Sequence, residues 1–73
     1  MRLRDLREDH DLTQQQLADR LFIRQSAYSQ YENGRRSIPL SVLIRLAELY
    51  DTSVDYLLGL TDEPKPYPRA TES

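Results

Sequence analysis

Uncharged hydrogen-bonding side chains gather in one stretch of this chain. Between Leu12 and Gly34 it reads LTQQQLADRLFIRQSAYSQYENG, with Gln14, Gln15 and Gln16 in one cluster and Gln25, Ser26, Ser29 and Gln30 in a second. A solvated face is usually built from Lys and Glu. Glutamine and serine instead offer donors and acceptors without charge, so two such clusters ask for a hydrogen-bonding ligand. Arginine adds a second chemistry: within 24–45, Arg24, Arg35, Arg36 and Arg45 are opposed only by Glu32, and a segment of that charge could lie on phosphate.

Nothing comparable supports catalysis. The chain has no cysteine, hence no disulfide framework and no thiolate metal site, and His10 is the single histidine. There is no glycine-rich phosphate loop, and Asp5, Glu8, Asp9 and Asp11 read as the exposed rim of a helix. No enzyme activity, metal, cofactor or small-molecule ligand is therefore expected.

At 73 residues the chain is one domain at most, near the size at which a single apolar core is only marginally sufficient. It carries no apolar run long enough for a membrane span and no signal-peptide pattern at its start, so a soluble, cytoplasmic protein is expected. The formal net charge of −2 conceals a division along the chain. Residues 1–45 hold eight arginines against six carboxylates, whereas 46–73 hold two basic residues against six acidic ones.

The elements that must carry the polar clusters are short helices. Leu3, Leu6, Arg7 and His10 share one face of a first helix, which Asp11 is placed to close. Thr13-Gln14-Gln15-Gln16 has the T-x-x-Q form of a capping box and opens a second helix, with Leu17, Ala18 and Leu21 on its inner side. Leu21, Phe22 and Ile23 leave room only for a sharp corner before a third helix over about 24–32. Its wheel separates Ala27, Tyr28 and Tyr31 from Gln25, Ser26, Ser29 and Gln30.

Asn33-Gly34 stops that helix, and the loop Arg35-Arg36-Ser37-Ile38 leads to Pro39. A fourth helix over 39–50 is expected to bury Leu40, Leu43, Ile44, Leu46 and Ala47; a fifth runs from Val54 to Leu58 between Ser53 and Gly59 as caps. Residues 1–60 then form the domain, and 61–73 a proline-containing tail with little core of its own. The fold class is all-α, a compact five-helix bundle.

Two helices joined by a tight corner, the second with an apolar back and a Gln/Ser front, describe a helix-turn-helix reader in physical terms. The chain also resembles the lambda Cro and phage-repressor-like (xenobiotic response element) DNA-binding domains. The resemblance spans about Leu3 to Leu58 and is carried by LRDLREDHDLTQQQLADRL, QYENGRR and LIRLAELYDTSVDYLL in that order.

It implies that Gln25, Ser26 and Gln30 face base edges in the major groove of double-stranded DNA, where glutamine can pair in two places with adenine. Arg24, where the family more often has a small Ser or Thr, could reach a guanine or a phosphate. The resemblance places Gln14, Ser29, Asn33, Arg35 and Arg36 at phosphates. It further implies an internal ion pair between Arg7 and Glu32. The chain departs from the pattern at Phe22, which stands where the corner usually has Gly; a left-handed backbone there is costly, and a differently shaped turn would tilt the reading helix.

The leading expectation is thus a sequence-specific transcriptional regulator, a repressor bound as a homodimer to a pseudo-palindromic operator with half-sites roughly 34 Å apart. Leu49, Tyr50, Tyr56, Leu58 and Leu60, or else the proline-rich tail, are candidates for the dimer contact. The alternative is a protein-interaction module of the same fold, an antitoxin-like or adaptor partner.

Overall fold

The computed structural model describes residues 1–68; the remaining tail residues, 69–73, lie outside the described residues. Five helices follow one another: α1 Leu3–Asp9, α2 Gln14–Leu21, α3 Gln25–Glu32, α4 Leu40–Leu49 and α5 Val54–Leu58. No strand occurs among the described residues, and the fold is the all-α bundle expected from the helical periodicity.

Local chemistry explains where the helices begin. Thr13 accepts from the Gln16 backbone N–H at 3.0 Å while Gln16 Oε1 accepts from the Thr13 N–H at 2.9 Å, the reciprocal capping box that T-x-x-Q encodes. Ser53 starts α5 by accepting from the Tyr56 N–H at 3.0 Å. Pro39 and Arg24 precede α4 and α3 in extended conformations, and neither supplies a side-chain cap.

The helices also end alike. Asp11, Phe22, Gly34, Asp51 and Gly59 all have positive φ. At each, the following N–H reaches a carbonyl five residues back, as from Ile23 to Ala18 at 3.1 Å and from Arg35 to Gln30 at 2.9 Å. The left-handed residue donates three residues back, completing the paired closure that satisfies the last helical carbonyls. Two of these residues are glycines and two are aspartates, which tolerate the conformation. The fifth is Phe22, with φ 58 and ψ 39. The corner therefore keeps the left-handed backbone that glycine would favour, at a cost of about 1–2 kcal/mol for a residue with a Cβ.

The core is assembled from Leu3, Leu17, Ala18, Leu21, Tyr28, Val42, Leu43, Leu46, Ala47, Tyr50 and Leu57. Burying each leucine side chain contributes about 1.5–3 kcal/mol relative to leaving it in water. The expected inner face of α4 needs correction: Leu40 and Ile44 are 65% and 46% exposed, and Val42 takes a core place instead. At about 100° per residue the stripe Val42, Leu43, Leu46, Ala47 and Tyr50 defines the buried side, and Leu40 and Ile44 fall off its edge. Hydrophobicity alone had assigned them inward.

The described part of the tail is tied down by polar hooks rather than by core burial. Arg2 donates to the Tyr56 carbonyl at 2.8 Å, the Thr61 carbonyl at 3.0 Å and Asp62 at 2.9 Å, with its guanidinium 4.3 Å from the centre of the Tyr56 ring. Thr52 Oγ1 donates to the Pro64 carbonyl at 2.7 Å, and the Tyr67 hydroxyl donates to Asp55. No described helix is long and apolar enough to cross a membrane.

Candidate nucleic-acid interface

The corner between α2 and α3 is held from both sides. Inside it, Leu17, Ala18, Leu21 and Tyr28 have almost no exposed surface. Behind it, Arg45 Nη1 donates to the Leu21 carbonyl at 3.1 Å, fastening α4 to the last turn of α2. Ile23 is half-buried, whereas Phe22 is 87% exposed, so the Phe22 ring adds little to the packing of the turn.

On the outward side of α3, Arg24, Ser26 and Gln30 are exposed and Gln25 and Ser29 half-buried. Asn33, Arg35 and Arg36 continue this surface beyond the helix and are all exposed. Asn33 Nδ2 lies 3.4 Å from Ser29 Oγ, a long contact that joins two of the residues placed at phosphates. Among the described residues, Arg24, Arg35 and Arg36 have no carboxylate partner within ion-pair distance. These polar side chains of α3 and the arginine loop that follows it are thus exposed or half-buried, and none lies in the core. Gln14, half-buried at the start of α2, meets Gln25.

A polar seam runs underneath. Arg7 Nε and Nη2 donate to the two Glu32 carboxylate oxygens, each at 3.0 Å, and Arg7 Nη1 donates to the Leu12 carbonyl at 2.8 Å. The Glu32 side chain has no exposed surface and that of Arg7 only 14%. Arg4 adds a longer contact to Glu32 at 3.3 Å from the solvent side. Burial by itself would raise the Glu32 pKa, but the bidentate Arg7 guanidinium, with help from the neighbouring Tyr28 hydroxyl, Gln14 and Arg4, overrides it and holds the carboxyl at about 2.

The seam extends to the surface through two amides. Gln14 Nε2 donates to Glu32 Oε1 at 3.2 Å, and Gln14 Oε1 accepts from Gln25 Nε2 at 2.7 Å. Sequence reasoning placed Gln14 and Gln25 at separate contacts and missed this link. Their positions in the first turns of two successive helices were the available signal, but only the corner geometry shows that the amides meet. The Tyr28 hydroxyl is buried close to Glu32 without good hydrogen-bond geometry, and burial pushes its pKa up. The Tyr50 hydroxyl is likewise buried without a partner, with its pKa raised to about 12 by burial.

His10 is an exposed residue at the C-terminal end of α1. Its Nδ1 lies 2.8 Å from the Leu6 carbonyl and its ring 4.7 Å from that of Tyr50. Among the described residues, no group of three His, Cys, Asp or Glu side chains could hold a metal ion.

A helix-turn-helix family model matches residues 3–57. The chain belongs to the helix-turn-helix family of the Cro and phage-repressor type. Its relatives in the family include the uncharacterized HTH-type transcriptional regulator YobD of Bacillus subtilis, 54% identical over 89% of this chain and 58% of the relative. AnsR, an HTH-type transcriptional regulator of the same organism, is 41% identical over 97% of this chain and 61% of its own length. The chain therefore spans about three-fifths of these two relatives. No solved structure matches it.

Of the apolar residues read as candidates for contact with a second copy, Tyr50 is buried and Leu49, Tyr56 and Leu58 are half-buried. Tyr50 is thereby removed from that set. Leu60 is 74% exposed.

Proposed function

We propose that this chain is the DNA-binding domain of a sequence-specific transcription regulator, acting as a repressor in the cytoplasm. In this reading α3 enters the major groove, with Gln25, Ser26, Gln30 and Arg24 at base edges and Gln14, Ser29, Asn33, Arg35 and Arg36 at phosphates. The observation that carries it is the outward face of α3: uncharged donors and acceptors on a corner fixed by a buried seam, flanked in sequence by exposed arginines that have no carboxylate partner among the described residues. Family membership and the names of the relatives support the same reading.

A homodimer across a two-fold operator is the proposed assembly, since a single short helix reads too few base pairs to select a site alone. Phosphate contacts release counterions, so affinity for duplex DNA should fall steeply with salt. Fluorescence anisotropy of a labelled duplex between 50 mM and 200 mM salt tests this. A loss of tenfold or more supports the DNA-binding reading, and a salt-independent or undetectable signal favours the protein-interaction module of the same fold.

A further inference from the structure

The hydrogen bonds from Arg7 to Gln25 have a direction, and the direction starts at Glu32. We propose that Glu32 is a positioning residue that determines which edge of Gln25 is offered to DNA, and thereby whether adenine or guanine is preferred there. The proposal rests on the base-reading role given above to Gln25.

An ionised carboxylate can only accept hydrogen bonds. Glu32 Oε1 takes Arg7 Nη2 at 3.0 Å and Gln14 Nε2 at 3.2 Å, with no exposed side-chain surface through which water could intervene. Gln14 must therefore turn its nitrogen inward. Reversing its amide would set a carbonyl oxygen against the buried carboxylate, two acceptors with no proton between them. With the nitrogen inward, the Gln14 oxygen faces α3 and accepts from Gln25 Nε2 at 2.7 Å.

The consequence reaches the surface. Gln25 commits one of its two amide hydrogens to Gln14 and keeps its oxygen and the other hydrogen. One acceptor beside one donor complements adenine, which presents the N6 hydrogen and the N7 lone pair in the major groove. Were Gln14 reversed, it would donate to the Gln25 oxygen and draw that oxygen inward, so that Gln25 would turn its two N–H donors outward. Guanine presents two acceptors, N7 and O6, and would become the better match. The buried ion pair thus does more than join α1 to α3, because its acceptor end sets the polarity of a reading residue two hydrogen bonds away.

Gln14→Lys is the sharpest test. An ammonium donates only, so it can satisfy Glu32 and at the same time donate to the Gln25 oxygen, leaving the Arg7–Glu32 pair in place. The experiment is selection from a randomised duplex library with the wild-type chain and the Gln25→Ala, Gln14→Lys and Glu32→Gln variants, each first shown to melt cooperatively at pH 7. The wild type is expected to prefer adenine at one position of the half-site, and Gln25→Ala to lose that preference. Gln14→Lys should change the same position to guanine, and Glu32→Gln, freeing Gln14 to face either way, should reduce the adenine-to-guanine ratio; a well-made bidentate contact discriminates by roughly 5- to 150-fold.

If Gln25→Ala leaves every position unaltered, the base-reading role itself fails. If Gln25→Ala erases an adenine preference that Gln14→Lys retains, Gln25 reads the base without direction from Glu32, and the positioning proposal is overturned while the reading stands. Should Glu32→Gln fail to fold, Gln14→Lys decides the matter alone.

Discussion

On the inward side of α3, Tyr28 and the Glu32 carboxylate have no exposed surface, and Glu32 is met by donors from α1 and α2. On the outward side, Arg24, Ser26 and Gln30 stand in solvent. One eight-residue helix thus holds a face whose identity is dictated by its neighbours and a face that the fold leaves free. The difference separates what stabilises from what reads. A substitution of an apolar inner residue should be felt as lost stability on any DNA or none, one outside as altered binding in a domain that melts normally, and one at Glu32, which is linked to Gln25 through Gln14, as both.

Tyr28→Ala should break the inward side most severely. Removing a fully buried aromatic costs about 3–5 kcal/mol. That is comparable to the whole stability of many small domains, about 5–15 kcal/mol, so thermal melting at neutral pH should show a large drop in Tm or no folded baseline.

Acid should weaken the same side through Glu32. Its pKa is lowered from 4.5 to about 2, so its contribution is complete above pH 4.5 and disappears as pH falls toward 2. The loss should be on the order of 3 kcal/mol. Urea melts at stepped pH would register it as a falling midpoint that begins below pH 4.5, and a midpoint that rises there would contradict the sign.

The outward side should respond in affinity. Gln25→Ala is expected to weaken specific binding by about 1–3 kcal/mol and to leave non-specific affinity nearly unchanged. Equal losses on all sequences would remove Gln25 from the base-reading set. Arg35→Ala and Arg36→Ala should each weaken binding across sequences alike and lower the slope of log affinity against log salt by about 1. Anisotropy titrations at several salt concentrations separate the two behaviours.

Phe22 belongs to neither side, and its replacement should do least. Gly at 22 relieves a left-handed strain of about 1–2 kcal/mol but adds unfolded-state freedom worth about 0.5–1 kcal/mol. With the ring 87% exposed, little burial is lost, and the net should be a stabilisation of no more than about 1.5 kcal/mol, readable as a small rise in Tm.

The sequence was most legible where local chemistry decides structure. The capping box at Thr13, the stop at Asn33-Gly34 and the Ser53 cap depend on residues within one turn, and all five helices could be placed from such signals with the 3.6-residue period. The two faces of α3 were readable for the same reason. Leu40 and Ile44 were misplaced because an apolar side chain does not declare which edge of a stripe it lies on, and only packing against α2 and α5 fixes the centre of that stripe. The Gln14–Gln25 contact was hidden because it depends on the angle of the corner, where Phe22 adopts a conformation that its residue type argues against. Arg2 was passed over because its partners, Tyr56, Thr61 and Asp62, lie at the far end of the chain.

The most direct test of the reading face is selection of duplexes from random DNA at two salt concentrations, with the wild-type chain and Gln25→Ala in parallel. The expected result is an enriched motif, two-fold symmetric if the chain binds as a dimer, in which one base position loses its preference in the variant. Absence of enrichment at either salt, or an identical motif from both proteins, would contradict the assignment of α3 as a base-reading helix.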